Sequence, residues 1–555
     1  MTPSERSRLW QDINAAPGEF RWYIPEHFNI GTACADDQPA DDLALIVDDG
    51  DGEEPARFTF GDVAERSNRL VTVLRDLGVE RGERVGVMAP QGLDVATAHL
   101  AAYKAGAVVV PMSTQFGPDA MVYRLAHSGV QVLVIFAEGW DRLAGSCDQV
   151  PDLQHVLIAG PSASSAADQG TGEHGPRILD LGASIDAAAP ANDAVHTAAT
   201  DPAMLIYTSG TTGPPKGVLH RHQVVVAQMP GVRITHAGFP QPDDVCWTPA
   251  DWAWAGGLLN TLFPAWLCGR PVVASRRKFD PPWTYELIAR HGVRRCFLPP
   301  TALKQMRRAG PPPAGVALRS VSSGGEALGE SIVAWADEHL GLQVQEFYGQ
   351  TEANPMAGNG AGHCAMRPGS MGQPFPGCDI ALRDADGRDV ADGEEGEITL
   401  RLPHPGAFIE YWREPERTAD KMHDGWLITG DQATRDADGY LFFAGRADDI
   451  ISSGGYRIGP GEIEECLISH PDVVMVAVIG VPDDVRGEAV TAYVIPADGV
   501  TPGPALTKAL QDHVKHRLAF YQYPRVITYV DELPMTTTGK IQRGELRRRA
   551  TMEER

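Results

Sequence analysis

The sequence lacks several features that would each assign it to a particular class of protein. It has no stretch of roughly 18 uninterrupted apolar residues, and its first residues, "MTPSERSRLWQDIN", lack an apolar segment of signal-peptide length. None of its 8 cysteines belongs to a Cys-x-x-Cys pair, so we expect neither a zinc site nor a disulfide framework. The formal net charge of -25 argues against a broad nucleic-acid surface. We therefore expect a cytoplasmic protein with no membrane span and no nucleic-acid partner.

What the sequence does contain is an alternation of short β-branched runs with helical periods. The runs "LALIVD", "RVGVMA", "AVVVPM" and "QVLVIF" follow one another in a pattern typical of parallel, doubly wound sheets. Thr59 suits a helix N-cap and Gly78 a helix stop, which favours a helix between them. At 555 residues the chain is too long for a single hydrophobic core. We predict an α/β fold whose large N-terminal region contains doubly wound mixed sheets.

The pattern changes beyond Arg446, where a turn, a short acidic helix and a strand follow closely. We therefore predict two domains, a large one over residues 1–447 and a small mobile α+β domain over residues 448–555. The stretch Gly160–Pro176, which is rich in Gly, Ser and Ala, is predicted to be a surface loop.

One stretch points directly to chemistry. "YTSGTTGPPKG", from Tyr207 to Gly217, follows an apolar run and offers backbone N–H groups, hydroxyls and one lysine, which together suit a phosphate ligand. It is not the common P-loop, because Lys216 is flanked by Pro215 and Gly217 and the two prolines prevent direct entry into a helix. Taken alone, such a loop could equally be a surface turn.

Four further stretches extend this signal in order along the chain: "YGQTE", "GWLITGDQATRDADGY", "GRADDIISSGGYRIGPGEIE" and "PMTTTGKIQR". Together with the first they resemble the adenylate-forming superfamily, which includes acyl-CoA synthetases, luciferases and the adenylation domains of peptide synthetases. The stretches "GRADDII", "PDDVRGEAV" and "YPR" are most similar to medium-chain and acetyl-type acyl-CoA synthetases.

The resemblance implies roles for individual residues. Lys540 would be the catalytic lysine, Thr351 would contact the α-phosphate, Glu352 would hold Mg²⁺ and Asp448 would be a hinge. The implied ATP-binding residues are Thr208, Ser209, Gly210, Thr211, Thr212, Gly213, Lys216, Gly325, Glu326, Glu346, Tyr348, Gly349, Asp431, Arg446 and Arg457. The implied CoA-binding residues are Gly454, Gly455, Tyr456, Arg486, Lys515, Tyr523 and Arg525. Each taken singly has an ordinary alternative, such as a turn cap for Asp431 or a weak surface ion pair for Arg446.

The reaction that the resemblance implies has two steps. A carboxylic acid and Mg-ATP give an enzyme-bound acyl-adenylate and pyrophosphate, and the thiol of CoA then attacks the acyl group while AMP leaves. Two alternatives stay open, a stand-alone adenylation enzyme that loads a carrier protein and a non-catalytic nucleotide-binding protein. The oligomeric state, monomer or homodimer, is also left open.

The acyl group is less well defined. Acetyl-specific relatives carry a tryptophan where this chain has Gly349, which predicts space for a medium-chain fatty acid. Trp252 and Trp254, in "PADWAWAGG", are candidates for the acyl pocket, although ordinary core packing would explain them equally well. Short, branched or aromatic acids are therefore alternatives. His220 and His222 could contact the carboxylate or the phosphates, or could only be capping residues.

Overall fold

The structure is a computed structural model that describes residues 19–160, 175–208, 214–326, 328–360, 362–446, 449, 451–453, 456–483, 487–518, 522–536 and 540–553. Residues 161–174, the body of the loop predicted at Gly160–Pro176, lie outside this part of the chain. Within it, no helix is both long enough and apolar enough to cross a membrane.

The strands follow one another along the whole described chain. In order they are β1 (Leu43–Val47), β2 (Ala56–Thr59), β3 (Arg84–Met88), β4 (Val108–Pro111), β5 (Val132–Phe136), β6 (His155–Ala159), β7 (Arg177–Asp180), β8 (Pro202–Thr208), β9 (Lys216–Arg221), β10 (Cys246–Trp247), β11 (Val272–Ala274), β12 (Arg295–Phe297), β13 (Ser320–Gly324), β14 (Gln345–Gln350), β15 (Asn354–Gly358), β16 (Gln373–Pro374), β17 (Ile380–Arg383), β18 (Gly396–Arg401), β19 (Met422–His423), β20 (Trp426–Arg435), β21 (Leu441–Arg446), β22 (Ile451–Ser453), β23 (Tyr456–Ile458), β24 (Val473–Asp483), β25 (Gly487–Pro496) and β26 (Val526–Tyr529).

The α-helices lie between these strands. They are α1 (Phe60–Asp76), α2 (Leu93–Lys104), α3 (Pro118–Ser128), α4 (Ala137–Leu143), α5 (Leu181–Ala187), α6 (Val224–Thr235), α7 (Ala255–Gly257), α8 (Phe263–Leu267), α9 (Pro281–His291), α10 (Pro300–Ala309), α11 (Glu330–Leu340), α12 (Pro415–Lys421), α13 (Pro460–Ile468), α14 (Pro504–Arg517) and α15 (Arg543–Glu553). A π-helical turn, Leu258–Leu262, joins α7 to α8.

Two large sheets carry most of the fold and confirm the predicted α/β architecture. One has seven strands in the order β7-β6-β5-β3-β4-β8-β9, parallel except for the hairpin β8–β9. The other has nine strands in the order β16-β15-β14-β13-β12-β10-β11-β1-β2, with a parallel centre and antiparallel edges. Strands β1 and β3 belong to different sheets although they follow one another closely in sequence.

Helix α1 shows how the sequence defines these elements locally. The backbone N–H of Asp62 donates to Oγ1 of Thr59 at 3.1 Å, and the N–H of Thr59 donates to Oδ2 of Asp62 at 2.8 Å, which forms a capping box. Gly78 follows the helix with φ of +84°, where a residue with a Cβ would be strained. The predicted start and stop of this helix are confirmed.

The central helix α2 lies between the two large sheets. All its residues from Val95 to Lys104 are buried, and its core includes Val85 of β3 and Leu45 of β1. Because both faces are covered, an apolar helix at this place is stable without a polar side.

Two smaller sheets complete the described part of the chain. An antiparallel sheet has the order β17-β18-β20-β19, with β21 paired to β20. The last sheet has the order β23-β22-β25-β24, with β26 parallel to β25. Its apolar clusters consist of residues from Ile451 to Ala550, so this part of the chain has a core of its own.

Candidate functional site

The glycine-rich stretch connects the two strands of a hairpin. Thr208 and Lys216 are cross-strand partners at the mouth of the β8–β9 hairpin, as are Tyr207 and Gly217 one step below. Lys216 therefore begins a strand and not a helix, as the two prolines predict. The predicted phosphate-binding residues Ser209, Gly210, Thr211, Thr212 and Gly213 lie outside the described residues.

A distant segment pairs with the free edge of this hairpin. The N–H of Leu219 donates to the carbonyl of Glu410 at 3.1 Å, and the N–H of Trp412 donates to the carbonyl of Gly217 at 2.7 Å. This pairing places Tyr411 opposite Val218, next to the start of β9. The role of Tyr411 could not be predicted, because it depends on strand pairing between distant parts of the chain.

Tyr411 connects two residues that the motifs predict. Its hydroxyl donates to Oε1 of Glu352 at 2.6 Å. Nζ of Lys216 lies 5.2 Å from the centroid of its ring. The predicted magnesium ligand and the predicted phosphate-binding lysine are therefore neighbours across one tyrosine ring. Thr351, next to Glu352, is half-buried at the end of β14.

The two histidines of "LHRH" differ in their surroundings. His220 is fully buried near Glu352, and burial lowers its pKa to about 4, so its ring is neutral at pH 7. His222 is buried as well, but its Nδ1 accepts a hydrogen bond from the N–H of Ile30 at 3.2 Å. His222 thus has a structural contact in the core.

Asp431 is held by residues from the "YGQTE" stretch. Its Oδ2 accepts hydrogen bonds from the hydroxyl of Tyr348 at 2.6 Å and from Nε2 of Gln350 at 3.0 Å. Its Oδ1 lies 3.7 Å from Nη1 of Arg446, its cross-strand partner on β21. Burial raises the pKa of Asp431, while Arg446 acts in the opposite direction. The structure therefore brings Tyr348, Asp431 and Arg446 together, and adds Gln350.

Lys421 is a further cation at this site that the motifs did not indicate. Its Nζ donates to the carbonyl of Thr429 at 2.7 Å. Burial lowers the pKa of Lys421; Glu352 and Asp431 raise it, and Arg446 and Lys216 lower it further. A Cβ on Gly430 would lie 3.8 Å from Nζ of Lys421 and 3.6 Å from Nη2 of Arg446, and the four charged residues come from four separate stretches of sequence. A lysine shortly before "GWLITGD" was the only signal available in the sequence.

Lys540 approaches the carboxyl edge of the nine-stranded sheet. A Cβ atom placed on Gly325 would lie 3.8 Å from Nζ of Lys540. Burial raises the pKa of the adjacent residue, Glu326. The same pKa is lowered by the positive charges of Lys304, Lys540 and Arg543. Gly325 and Glu326 follow β13, so the predicted catalytic lysine lies at the strand ends where ligands bind in open α/β sheets.

Glu346 is a second buried carboxyl group beside this edge. It accepts a hydrogen bond from the N–H of Leu328 at 3.3 Å. Burial raises its pKa to about 7, with a smaller contribution in the same direction from Glu465. Its protonation therefore changes near neutral pH.

Two hydrogen bonds connect the last hundred residues to the large region near Lys540. Oε1 of Glu465 accepts from the N–H of Glu330, the first residue of α11, at 3.2 Å. Nη2 of Arg308 donates to the carbonyl of Val474 at 3.0 Å. A carboxylate at a helix N-terminus is electrostatically favourable, so Glu465 stabilises this orientation of Lys540 toward Gly325.

Three predicted CoA-binding residues also meet. Nζ of Lys515 lies 4.1 Å from the ring centroid of Tyr523, and the guanidinium carbon of Arg525 lies 3.9 Å from it. Arg525 also contacts the Tyr523 hydroxyl. Two cations therefore share one aromatic ring, which holds them close together.

The remaining predicted positions are only partly described. Asp448, Gly454, Gly455 and Arg486 lie outside the described residues. Tyr456 and Arg457 belong to strand β23, where their backbones pair with Ser453 and Ser452.

Gly349 requires a correction. A Cβ atom on Gly349 would overlap the carbonyl oxygen of Asn354 and would lie 2.9 Å from the nitrogen of Pro355. The space beside Gly349 is therefore filled by the neighbouring strand β15, and the absent side chain does not open an acyl tunnel. Of the two tryptophans, Trp252 is buried in the core cluster around α2, and Trp254 packs edge-on against Phe116 at 5.8 Å between ring centroids.

The chain is similar to several known proteins along most of its length. Residues 32–412 match the model of the AMP-binding enzyme family, and residues 462–540 match its C-terminal domain. The acetyl-coenzyme A synthetase of Bacillus subtilis is 32% identical over 91% of this chain and 87% of its own length. The human mitochondrial acyl-coenzyme A synthetase ACSM4 is 32% identical over 94% of this chain and 91% of its own length. The anthranilate CoA ligase AuaEII, whose structure was solved with anthranoyl-AMP, is 29% identical and has a TM-score of 0.84. The match covers 96% of this chain and 99% of the AuaEII chain.

Proposed function

Because the chain belongs to the AMP-binding enzyme family, as an AMP-forming acyl-CoA ligase, we propose that the residues around Lys421 carry its reaction. The observation that supports this is a convergence of four separate motifs. Tyr411 contacts both Glu352 and Lys216, Asp431 lies beside Arg446, and a Cβ on Gly430 would lie 3.8 Å from Nζ of Lys421 and 3.6 Å from Nη2 of Arg446. A scaffold protein would not need that convergence.

The first half-reaction brings two anions together. A carboxylate oxygen attacks the α-phosphorus of ATP, the bond to the pyrophosphate oxygen breaks, and acyl-adenylate forms. Lys216, Lys421 and Lys540 would offset the charge that develops on the phosphates. Asp431 would accept from the ribose hydroxyls through Oδ1, because Tyr348 and Gln350 already occupy Oδ2.

The donor set fits a magnesium ion. Among the described residues, three or more His, Cys, Asp or Glu side chains do not gather into a cluster, so a fully protein-bound metal is not expected there. Mg²⁺ prefers one or two carboxylates together with substrate phosphates, which Glu352 could provide. When bound, Mg²⁺ would neutralise charge on the phosphates. Tyr411 would orient the Glu352 carboxylate toward it.

The second half-reaction requires a different face of the C-terminal region. The sulfur of CoA attacks the carbonyl carbon, the acyl–phosphate bond breaks, AMP leaves and the thiol proton passes to solvent. The pair of cations on Tyr523 would bind the phosphates of CoA. We propose that residues 448–555 rotate about Asp448 between the steps, as one domain against residues 1–447, and that Lys540 at Gly325 represents the adenylate-forming arrangement.

The pocket favours a compact acid. Phe297 lies against Gly256 of "PADWAWAGG", since a Cβ there would lie 2.6 Å from Cε1 of Phe297. Phe297 in turn packs on Phe347, with 5.8 Å between ring centroids. With the space beside Gly349 filled, a short or aromatic acid fits better than the medium-chain fatty acid that the sequence suggested. The AuaEII structure, which contains an aromatic acyl-adenylate, supports an aromatic acid.

A direct experiment tests this function. AMP and pyrophosphate are measured with Mg-ATP and acetate, butyrate, octanoate, benzoate or palmitate, with and without CoA. We expect CoA-dependent AMP formation to be faster with benzoate or the short acids than with octanoate. Acid-dependent pyrophosphate release without acyl-CoA would instead indicate a carrier protein as the acceptor, and no acid-dependent ATP cleavage would contradict the proposal.

A further inference from the structure

Gln228 is a buried amide without hydrogen-bond partners in the described part of the chain. It lies on α6, is fully buried, and neither its Nε2 nor its Oε1 makes a hydrogen bond to a described residue. A buried polar group left without a partner costs about 1–3 kcal/mol, so such groups are rare and need an explanation. The surrounding run "VVVAQMPGV" is otherwise apolar.

Two residues that follow Gln228 in sequence line a small cavity. Val232 and His236 follow Gln228 at intervals of four residues, which places the three on one side of the helix. Val232 and His236 line a cavity of about 10 Å³, together with Asn260, Thr261 and Phe297. Phe297 is the residue that packs against the predicted acyl stretch.

The direction of α6 places Gln228 at the substrate end of this face. His236 hydrogen-bonds Ser320 at 2.7 Å and Ser322 at 3.0 Å, at the start of β13. Eight helical residues span about 12 Å, which equals between three and four residues of strand at about 3.3 Å each. A helix that runs alongside β13 from this contact would bring Gln228 level with Gly324, the last residue of β13.

A contact on the next turn of α6 supports the same placement. A Cβ on Gly231 would lie 2.9 Å from Cβ of Pro355, and Pro355 pairs with Gly349 near the end of β14. The part of α6 around Gly231 thus lies beside the end of β14, the neighbour of β13 in the nine-stranded sheet.

A second unpartnered group lies on the opposite wall. Oγ1 of Thr261 is buried without a hydrogen-bond partner among the described residues, and Thr261 lines the cavity. The cavity wall also includes the polar side chains of His236, Asn260 and Arg295, and Gln228 lies one helical turn before Val232 on the same side of α6. A purely hydrocarbon acyl group would leave these polar atoms unsatisfied.

The charges near the cavity are balanced. Arg295 lines its far end, but Nε of Arg295 pairs with Asp244 at 3.0 Å, and Arg319 pairs with both Asp244 and Asp243. Two arginines and two aspartates leave no net charge to attract a second carboxylate. The group that Gln228 contacts is therefore expected to be neutral.

We propose that Gln228 determines acyl specificity by hydrogen-bonding a neutral hydroxyl or amino substituent on the acid. This inference rests on the proposed ligase function. The amide both donates and accepts, which matches a hydroxyl group, and Thr261 contributes a second partner. A site built for such a hydrogen bond rejects an analogue that lacks the group, by about 10-fold or more in kcat/KM.

Matched pairs of acids test the proposal. Acyl-CoA formation is measured for benzoate against the hydroxybenzoates and aminobenzoates, and for butyrate against the hydroxybutyrates. The enzymes are the wild type, Gln228→Leu, Gln228→Asn and Thr261→Val. Gln38→Leu is the matched control, because Gln38 is a buried glutamine whose Nε2 donates to the carbonyl of Ala33 at 2.6 Å.

The wild type should prefer a substituted acid by about 10-fold or more, and Gln228→Leu should reduce that ratio to near one with KM for ATP unchanged. Gln228→Asn should lower the ratio partly, and so should Thr261→Val. The melting temperature should stay equal or rise in Gln228→Leu, since an unsatisfied amide is removed, and should fall in Gln38→Leu with the ratio unchanged.

Two results would overturn the inference. One is a wild type that prefers the unsubstituted acid in every pair. The other is a Gln228→Leu variant with a lower melting temperature and the wild-type ratio, which would assign Gln228 a purely structural role. If the wild type turned over neither member of any pair, the ligase function itself would be contradicted, and the inference with it.

Discussion

The hydroxyl of Tyr411 donates a hydrogen bond of 2.6 Å to Oε1 of Glu352, and the ring of the same tyrosine lies 5.2 Å from Nζ of Lys216. Two residues from separate motifs thus share one aromatic neighbour. That neighbour is held by backbone pairing of residues 409–412 with β9.

Replacing Tyr411 by Phe should weaken magnesium use. The variant loses the hydrogen bond that orients Glu352 and keeps the ring beside Lys216, so we expect about a 10-fold lower kcat and a higher Mg²⁺ requirement. Steady-state AMP formation at varied Mg²⁺ checks this. Tyr440→Phe, which removes a hydrogen bond to the carbonyl of Ala365, is the control and should behave as the wild type. Equal Mg²⁺ dependence in both variants would show that Tyr411 does not orient Glu352 for magnesium binding.

Lys421→Met should lower kcat/KM for ATP by about 100-fold, because the variant removes a cation from among Glu352, Asp431 and Arg446. Lys421→Arg should recover part of the loss. Lys508→Met, which removes an exposed lysine paired with Asp512, serves as the comparison and should change little. Similar activities for the two methionine variants would show that Lys421 has no role in ATP binding.

Glu465→Ala should separate the two half-reactions. The variant removes the carboxylate at the N-terminus of α11 and so destabilises the arrangement with Lys540 at Gly325. We expect acid-dependent ATP–pyrophosphate exchange to fall about 5-fold, and thioester formation from preformed acyl-adenylate to be unchanged. Glu338→Ala, on the exposed side of α11, is the control. An equal decrease in both half-reactions would contradict this role for Glu465.

Glu346 should make stability depend on pH. Its pKa is raised to about 7 in the folded protein, so its stabilising contribution is complete below the unfolded pKa and is lost as pH rises toward 7. This loss amounts to about 3 kcal/mol. In urea unfolding, Glu346→Gln should resemble the wild type at pH 4.5 and be more stable by about that amount at pH 8. A difference between the two proteins that does not change with pH would show that Glu346 titrates normally.

The alternation of strands and helices allowed the fold class to be predicted from sequence, and the capping residues Thr59 and Gly78 located one helix correctly. The division of the strands between two sheets could not be predicted. A run such as "LALIV" indicates burial on both faces but carries no information on its neighbour, which for β1 is the much later β11. The role of Tyr411 could not be predicted for the same reason, because it depends on pairing between distant parts of the chain.

The residue-level predictions depended on local sequence, whereas the contacts among these residues depend on how the strands pair. Asp431 and Arg446 meet because they are cross-strand partners in neighbouring strands. Glycine is needed at position 349 because the carbonyl of Asn354 approaches it closely. This is a tertiary contact, so the sequence alone led to a wrong interpretation of Gly349. Gln228 is visible in the sequence as an isolated amide within the apolar run "VVVAQMPGV", but only the structure shows that it is buried without a hydrogen-bond partner among the described residues.

We propose that this chain forms acyl-adenylate with Lys540 at the strand ends near Gly325. The most direct measurement is acid-dependent ATP–pyrophosphate exchange in the wild type and Lys540→Ala, alongside thioester formation from preformed acyl-adenylate. We expect exchange in the wild type, a loss of about 100-fold or more in Lys540→Ala, and thioester formation retained in both. Undiminished exchange in Lys540→Ala would contradict this proposal.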